Sequence, residues 1–376
     1  MIYLDNAATT KCSEETVSIV NSFLSTRFFN PSAQYKQSVL IRSEIDNSRN
    51  NILKSLSGKG RIIFTSGGTE SDSIALNNTK KKQGSKIIIS SNEHSAIYYS
   101  ALELRNRGFK LEICPTDNHG KLNLVEFENL LDESVSLISI MHVNNETGAV
   151  NDLKKIVTLA RSKAPLALVH SDGVQAVGKI PVNLSDLDID LYSLSAHKIG
   201  GMKGSGALFI KEGIEITPFL FGGGQEYGLR SSTENVAGIV SFARAIESRV
   251  IDIKSNYKKI TSLFNILYNY LVNNEYFKVI SDEIFGSKYI LLFTNKLIKG
   301  EILQNLLESK GIIVGTGSAC SSNNKTTRIT NALKLSKTDS EGVIRVSFSI
   351  DNTENEIYEM ISALDGIIRE YKLLCL

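Results

Sequence analysis

Lys198 ends the run Ser193-Leu194-Ser195-Ala196-His197-Lys198, and Asp172 and Gln175 follow an earlier apolar segment, Ala167 to Ser171. A lysine amine among small and hydroxylic residues can form a Schiff base with an aldehyde. A carboxylate can keep a pyridine nitrogen protonated, which makes the ring an electron sink. Each group alone has a plainer reading: a Lys beside a His is ordinary surface decoration, and an Asp after an apolar strand often only caps a helix. Together they read as a pyridoxal 5'-phosphate site.

Other segments offer what a phosphorylated aromatic aldehyde needs. Ser66-Gly67-Gly68-Thr69-Glu70 follows a strand-like run, and its glycines let backbone amides approach an anion at a helix start. Thr69 as a helix cap is an equally good reading. Ser195 and His197 could add donors to the same phosphate. His94, in Asn92-Glu93-His94, could stack on the cofactor ring and move protons, against the alternative of a structural imidazole. Asn144 and Asn145 could hydrogen-bond a phenolic oxygen or simply make a turn. Cys320 lies in a small, polar tract, Gly315 to Asn324, without apolar periodicity, which suits an exposed nucleophile better than Cys114 among large apolar neighbours. Arg345 interrupts an apolar strand and needs a partner, either a substrate carboxylate or a protein one.

The elements that must hold these groups alternate. Strand-like runs occur at Arg61 to Thr65, Lys86 to Ser90, Lys110 to Cys114, Leu137 to Met141, Ala167 to Ser171, Leu191 to Leu194 and Ala207 to Ile210, with amphipathic helical patterns in most of the gaps between the first five. That alternation predicts an α/β fold whose largely parallel sheet is covered by helices, with ligands at the strands' carboxyl ends. From Asn235 the pattern turns helical to about Val272. Two further strands follow near Tyr289 to Thr294 and Gly342 to Phe348, and then a helix over Glu354 to Leu374 with apolar Ile357, Met360, Ile361, Leu364, Ile367 and Ile368. The shift reads as a second, smaller domain.

With 376 residues and 42% hydrophobic content the chain can bury a large core. Its 42 Lys plus Arg against 40 Asp plus Glu leave a net charge of +2, so no global field favours nucleic acid or membrane. The one compact basic run, Lys80 to Lys82, reads as a solvated helix end. Cys12, Cys114, Cys320 and Cys375 have no CxxC spacing, and neither a leader nor a spanning apolar run is evident. These features point to a reducing cytoplasm, with no disulfide framework and no zinc site.

The ordered motifs Tyr3-Leu4-Asp5-Asn6-Ala7-Ala8-Thr9-Thr10, Asn30-Pro31-Ser32, Thr65-Ser66-Gly67-Gly68-Thr69-Glu70-Ser71-Asp72, His142 to Gly148, Asp172-Gly173-Val174-Gln175, Ser195-Ala196-His197-Lys198, Gly222 to Glu226, Arg230 to Asn235 and Gly317-Ser318-Ala319-Cys320-Ser321 resemble, nearly end to end, the cysteine desulfurases of the NifS/IscS type. These are class V, fold-type I pyridoxal phosphate enzymes. The resemblance implies a large cofactor-binding domain over 13–250, with a mostly parallel seven-stranded sheet between helices. It also implies a smaller α+β domain, from 1–12 and 251–376, that carries the Cys320 loop. By the same likeness Lys198 binds the cofactor aldehyde, Asp172 pairs with the pyridine nitrogen, Gln175 and Asn145 contact the phenolic oxygen, and His94 stacks on the ring. Gly68, Thr69, Ser195 and His197 hold the phosphate, and Thr233 completes it from the second subunit of a homodimer.

L-cysteine would be the substrate, its carboxylate on Arg345 and Asn30, and its sulfur would pass to Cys320 as a persulfide. The recipient would be an acceptor protein of iron-sulfur assembly, tRNA thiolation or DNA phosphorothioation, with no direct nucleic-acid binding. Three positions depart from the family pattern: Tyr35 for a common histidine, Met202 for a frequent proline and Ser232 for a usual glycine. The alternatives on the same scaffold are a selenocysteine lyase, an aminotransferase, or a non-catalytic sulfur-pathway scaffold.

Overall fold

The computed structural model describes residues 1–79, 85–316 and 328–374. Cys320 with the tract around it, the basic run Lys80 to Lys82, and Cys375 lie outside the described residues. The seven expected strands of the large unit are all present, as Gly60–Thr65, Lys86–Ser90, Lys110–Cys114, Val135–Ser139, Leu168–Asp172, Leu191–Ser195 and Gly206–Lys211. They form one sheet, ordered in space first, seventh, sixth, fifth, fourth, second, third. Only Gly206–Lys211 runs antiparallel to its neighbours. The strands from Gly60, Lys86, Val135, Leu168 and Leu191 therefore all deliver their carboxyl ends to one edge.

Ile87, Ile88 and Ile89 show why this sheet is buried on both faces. Ile88 packs into the cluster around Phe127, Phe209 and Phe242, while Ile87 and Ile89 point into a second cluster with Ile63, Ile97 and Leu208. A continuous β-branched run is the pattern a doubly covered parallel strand requires, and each such side chain contributes about 1.5–3 kcal/mol on burial. One strand stops earlier than the apolar run predicts. The assigned strand ends at Ser139, not Met141: the Met141 N–H donates to a Glu93 carboxyl oxygen at 2.9 Å and not to the strand Lys86–Ser90, while the N–H groups of Ile140 and His142 still reach the carbonyls of His170 and Asp172 at 3.2 and 2.9 Å.

The pattern from Asn235 resolves into two helices, Val236–Ile251 and Ile253–Val272, broken at Asp252. The first packs on the large unit. The second belongs to a separate core with Ile290, Phe293, Ile344 and Val346 of an antiparallel three-stranded sheet and with Ile357, Met360, Leu364, Ile367 and Ile368 of the helix Glu354–Leu374. The edge strand Phe277–Val279 was not legible, since three residues show no period. Ile2 and Leu4 enter this second core, and Ile2–Tyr3 pairs in parallel with Ile312–Ile313. The chain's first residues thus reach both units. Among the described residues no helix is long and apolar enough to cross a membrane.

Candidate active site

Where the sheet's carboxyl edge meets the strand Val343–Ser347 lies a cavity of about 370 Å³, within the range that holds a small cofactor. Lys198 lines it from the short turn Ala196–Lys198 after Leu191–Ser195. Thr10 fixes that turn. Its N–H and hydroxyl both donate to the His197 carbonyl at 2.9 Å, and its hydroxyl accepts from the Gly200 N–H at 2.8 Å. The Lys198 amine donates to the carbonyls of Ala7 and Ala8 at 2.6 and 2.7 Å. Burial, and then the Arg345 charge, lower its pKa to about 8, which supplies neutral, nucleophilic amine near neutral pH.

Asp172 ends its strand, accepts the Val174 N–H at 2.8 Å, and is buried. The turn after it lies on the Tyr192 ring. A Cβ at Gly173 would sit 2.0 Å from that ring, so only glycine allows the approach. Asp72 reaches the same space from the helix Gly68–Asn77, and ligand atoms of Asp72, Asp172 and His94 lie within 4.8 Å of one another. Burial raises both carboxyl pKa values. Asp72 is pushed up well above the usual range, with the Asp172 charge adding to it. Two buried carboxyls so close disfavour a second negative charge, so that one is protonated and one is charged. That charge suits a cationic N–H such as a protonated ring nitrogen.

The helix Gly68–Asn77 starts without a side-chain cap, so Thr69 lines the cavity and does not cap. A Cβ at Gly68 would meet Val174 Cγ2 at 2.8 Å. The Ser195 hydroxyl, in the same wall, is buried with no hydrogen-bond partner. His197, its pKa lowered to about 4 by burial, bonds through Nδ1 to the Thr9 hydroxyl at 3.1 Å. Uncapped amides beside an orphaned hydroxyl are what an anion would satisfy. Together with the Lys198 amine and the carboxyl pair, they fit the phosphate, aldehyde and ring nitrogen of pyridoxal 5'-phosphate.

His94 caps the helix Ser95–Asn106, its Nδ1 accepting the Ala96 N–H at 3.2 Å. The turn beneath it is pinned by buried Glu93, whose carboxyl accepts from the Ser90 hydroxyl at 2.5 Å and from Met141 N–H, and whose pKa burial pushes up to about 8. Arg328 donates to the carbonyls of Ser91, at 2.8 Å, and Glu93. Asn145 and Gln175 also line the cavity. Arg345 does so while paired with Asp5 at 2.8 Å and Glu146 at 3.2 Å, its Nε left without a partner. The protein-carboxylate reading of Arg345 is thus realised, with one donor to spare.

Two expected residues stand apart. Asn30 is exposed, its side-chain oxygen accepts the Ser32 N–H, and it does not line the cavity. Thr233 is likewise exposed and outside it. Cys320 lies outside the described residues. Cys114 matches its inert reading, since burial lifts its thiol to about 12. Sequence reasoning gave no role to Asp72 or Lys179, although each sits four residues beyond a recognised group, Gly68 on the same helix for Asp72 and Gln175 in the same run of turns for Lys179.

The model of the family described as "Aminotransferase class-V" matches residues 2–360. The chain belongs to that family. Class-V members of this kind use pyridoxal 5'-phosphate. The chain is 34% identical to a cysteine desulfurase IscS of Clostridium botulinum, over 98% of this chain and 94% of the relative. It is 33% identical to the cysteine desulfurase IscS of Dictyoglomus turgidum, over 99% and 96%. A solved NifS-like protein superposes with a TM-score of 0.93 at 33% identity, covering 98% of this chain and 99% of that one. A structure described as SspA in complex with cysteine gives 0.82 at 25% identity, over 94% and 100%. The class-V fold accounts for the sheet, for the second unit and for the cavity between them.

Proposed function

We propose that this chain is a cytoplasmic, pyridoxal 5'-phosphate-dependent L-cysteine desulfurase that works as a homodimer and hands sulfur from Cys320 to an acceptor protein. The observation that carries the reading is one cavity holding a lysine amine of depressed pKa, a buried carboxyl pair and an orphaned hydroxyl beside an uncapped helix start. Residues 13–250 form its cofactor-binding domain, and 1–12 with 251–376 the domain that carries Cys320.

The cofactor, when bound, supplies an aldehyde for an amine and a ring that withdraws electrons from the substrate's α-carbon. Lys198 is the amine that would hold it and would move protons at the substrate's carbon skeleton. Asp172 holds the ring nitrogen's proton, with Asp72 keeping the local charge at one. Gly68, Thr69, Ser195 and His197 would bind the phosphate, and His94 would lie against the ring and exchange a proton with the substrate thiol. Arg345 offers its free Nε to the substrate carboxylate, and Asn30 requires a loop movement to assist it. Gly315 pairs by two backbone hydrogen bonds with Arg345 in the cavity wall, and Cys320 follows five residues later. Its thiolate takes the substrate sulfur: the C–S bond breaks, an S–S bond forms, and L-cysteine plus thiol becomes L-alanine plus persulfide.

Exposed Phe219, Leu220, Phe221 and Tyr227 beside exposed Thr233 support a second copy as partner. The segment that carries them is anchored by Glu226, which takes Arg49 at 2.5 and 2.7 Å and the Phe64 N–H at 2.8 Å. Incubation with L-cysteine alone is expected to give one alanine per protein-bound sulfane sulfur. Cys320→Ser should keep the cofactor's visible band and lose both products. A yellow protein that makes no alanine rejects the proposal, and turnover that survives Cys320→Ser points to a lyase or aminotransferase.

A further inference from the structure

We propose that Lys179 is a positioning residue that locks the Gln175 side-chain amide, so that the cavity meets a hydrogen-bond donor there and not an acceptor. The inference rests on the cavity being the pyridoxal 5'-phosphate site. Lys179 is 5% exposed and lies four residues after Gln175 in a run of tight turns. Gly178, at φ +71°, bends the chain just before it, and a Cβ there would meet Arg249 Cβ at 2.9 Å. The Lys179 amine donates to Gln175 Oε1. Among the described residues no carboxylate lies within ion-pair distance of it. Its charged neighbours are Lys198, Arg249 and Arg345, which add to burial in holding its pKa well below the ordinary value. A buried lysine surrounded by cations is costly to keep, and an ion pair does not explain it.

The Gln175 amide does. With Oε1 taken by Lys179, Nε2 faces Ala7, a cavity residue, and donates one hydrogen to the Ala7 carbonyl at 2.9 Å. The second hydrogen stays available for an oxygen in the cavity. A flipped amide would set Oε1 against the Ala7 carbonyl oxygen, two acceptors face to face. The ligand group this selects is an anionic ring oxygen, whose charged form a fixed donor stabilises.

The test is a pH titration of the visible absorption band of the cofactor-loaded protein, with thermal melting alongside. Lys179→Met should retain cofactor and raise the titration midpoint by about one pH unit, because a mobile amide donates only part of the time. Lys179→Gln, which keeps a donor, should recover most of the shift. In a Gln175→Leu background Lys179→Met should move the midpoint no further, an outcome that a general loosening of the site would not give. Should Lys179→Met fail to fold, Gln175→Glu, which removes the donor while leaving Lys179 in place, is expected to raise the midpoint as much. An unchanged midpoint in Lys179→Met, or an equal shift without Gln175, overturns the inference. A wild-type protein that forms no visible band with pyridoxal 5'-phosphate would instead defeat the functional reading.

Discussion

Capture of pyridoxal 5'-phosphate by the cofactor-free protein should titrate with the Lys198 amine, and the structure sets where. At a pKa of about 8, about one tenth of the amine is neutral at pH 7 and about nine tenths at pH 9, so the capture rate should rise about tenfold across that span and then level off. An ordinary lysine, near 10.5, would give about a hundredfold rise over the same span with no plateau. Replacing Arg345 by Met removes a cation that lowers this pKa. It also unmasks Asp5 and Glu146, which raise it. Both effects have the same sign. The midpoint should climb by about one unit, or about 1.4 kcal/mol, while Arg345→Lys, which keeps the charge, should stay near wild type. Stopped-flow absorbance after mixing with cofactor at a series of pH values gives the midpoint. A rate still rising log-linearly past pH 10, or an Arg345→Met midpoint at or below wild type, would refute the electrostatic account of this lysine.

Two further outcomes follow from buried or strained groups. Glu93, pushed up to about 8 by burial, is protonated in the fold at neutral pH and ionised in the unfolded chain. Its contribution is therefore complete below its ordinary value of 4.5 and is lost as pH rises through about 8. Glu93→Gln should flatten the fall in melting temperature between pH 5 and pH 8, and an unaltered slope would contradict the assignment. Ser232 has φ +145°, a conformation that favours glycine. Ser232→Gly should raise stability by about 1 kcal/mol in urea denaturation, and a loss of stability would show that the backbone there is not strained.

Much of the fold was legible because the physics that builds it is local. Three consecutive isoleucines in Lys86–Ser90 can be stable only with both sheet faces covered, and the helix Glu354–Leu374 buries the residues its spacing picks out. The misreadings have local causes too. Ile140 and Met141 carry the apolar run past the true end of the fourth strand at Ser139, yet the Met141 N–H is taken by the Glu93 carboxyl and not by a neighbouring strand. Apolar character alone does not tell a strand paired on both sides from an end that keeps one neighbour, as Ile140 and His142 do with His170 and Asp172. The short edge strand Phe277–Val279 had no period to read.

For the site, the residue types of Lys198, Asp172, Ser195 and His94 announced the chemistry, since few other reactions ask for an amine, a carboxylate and small donors at successive strand ends. The chain order alone fixed which groups could act and at which edge of a sheet they had to gather. The folded arrangement decided how they are tuned. Desolvation and the Arg345 charge set the Lys198 amine, the approach of Asp72 to Asp172 leaves one charge between two carboxyls, and Lys179 reaches Gln175 only because both are buried in one turn. Charge energies depend on distance and on exclusion of water, and neither quantity is written in a linear sequence.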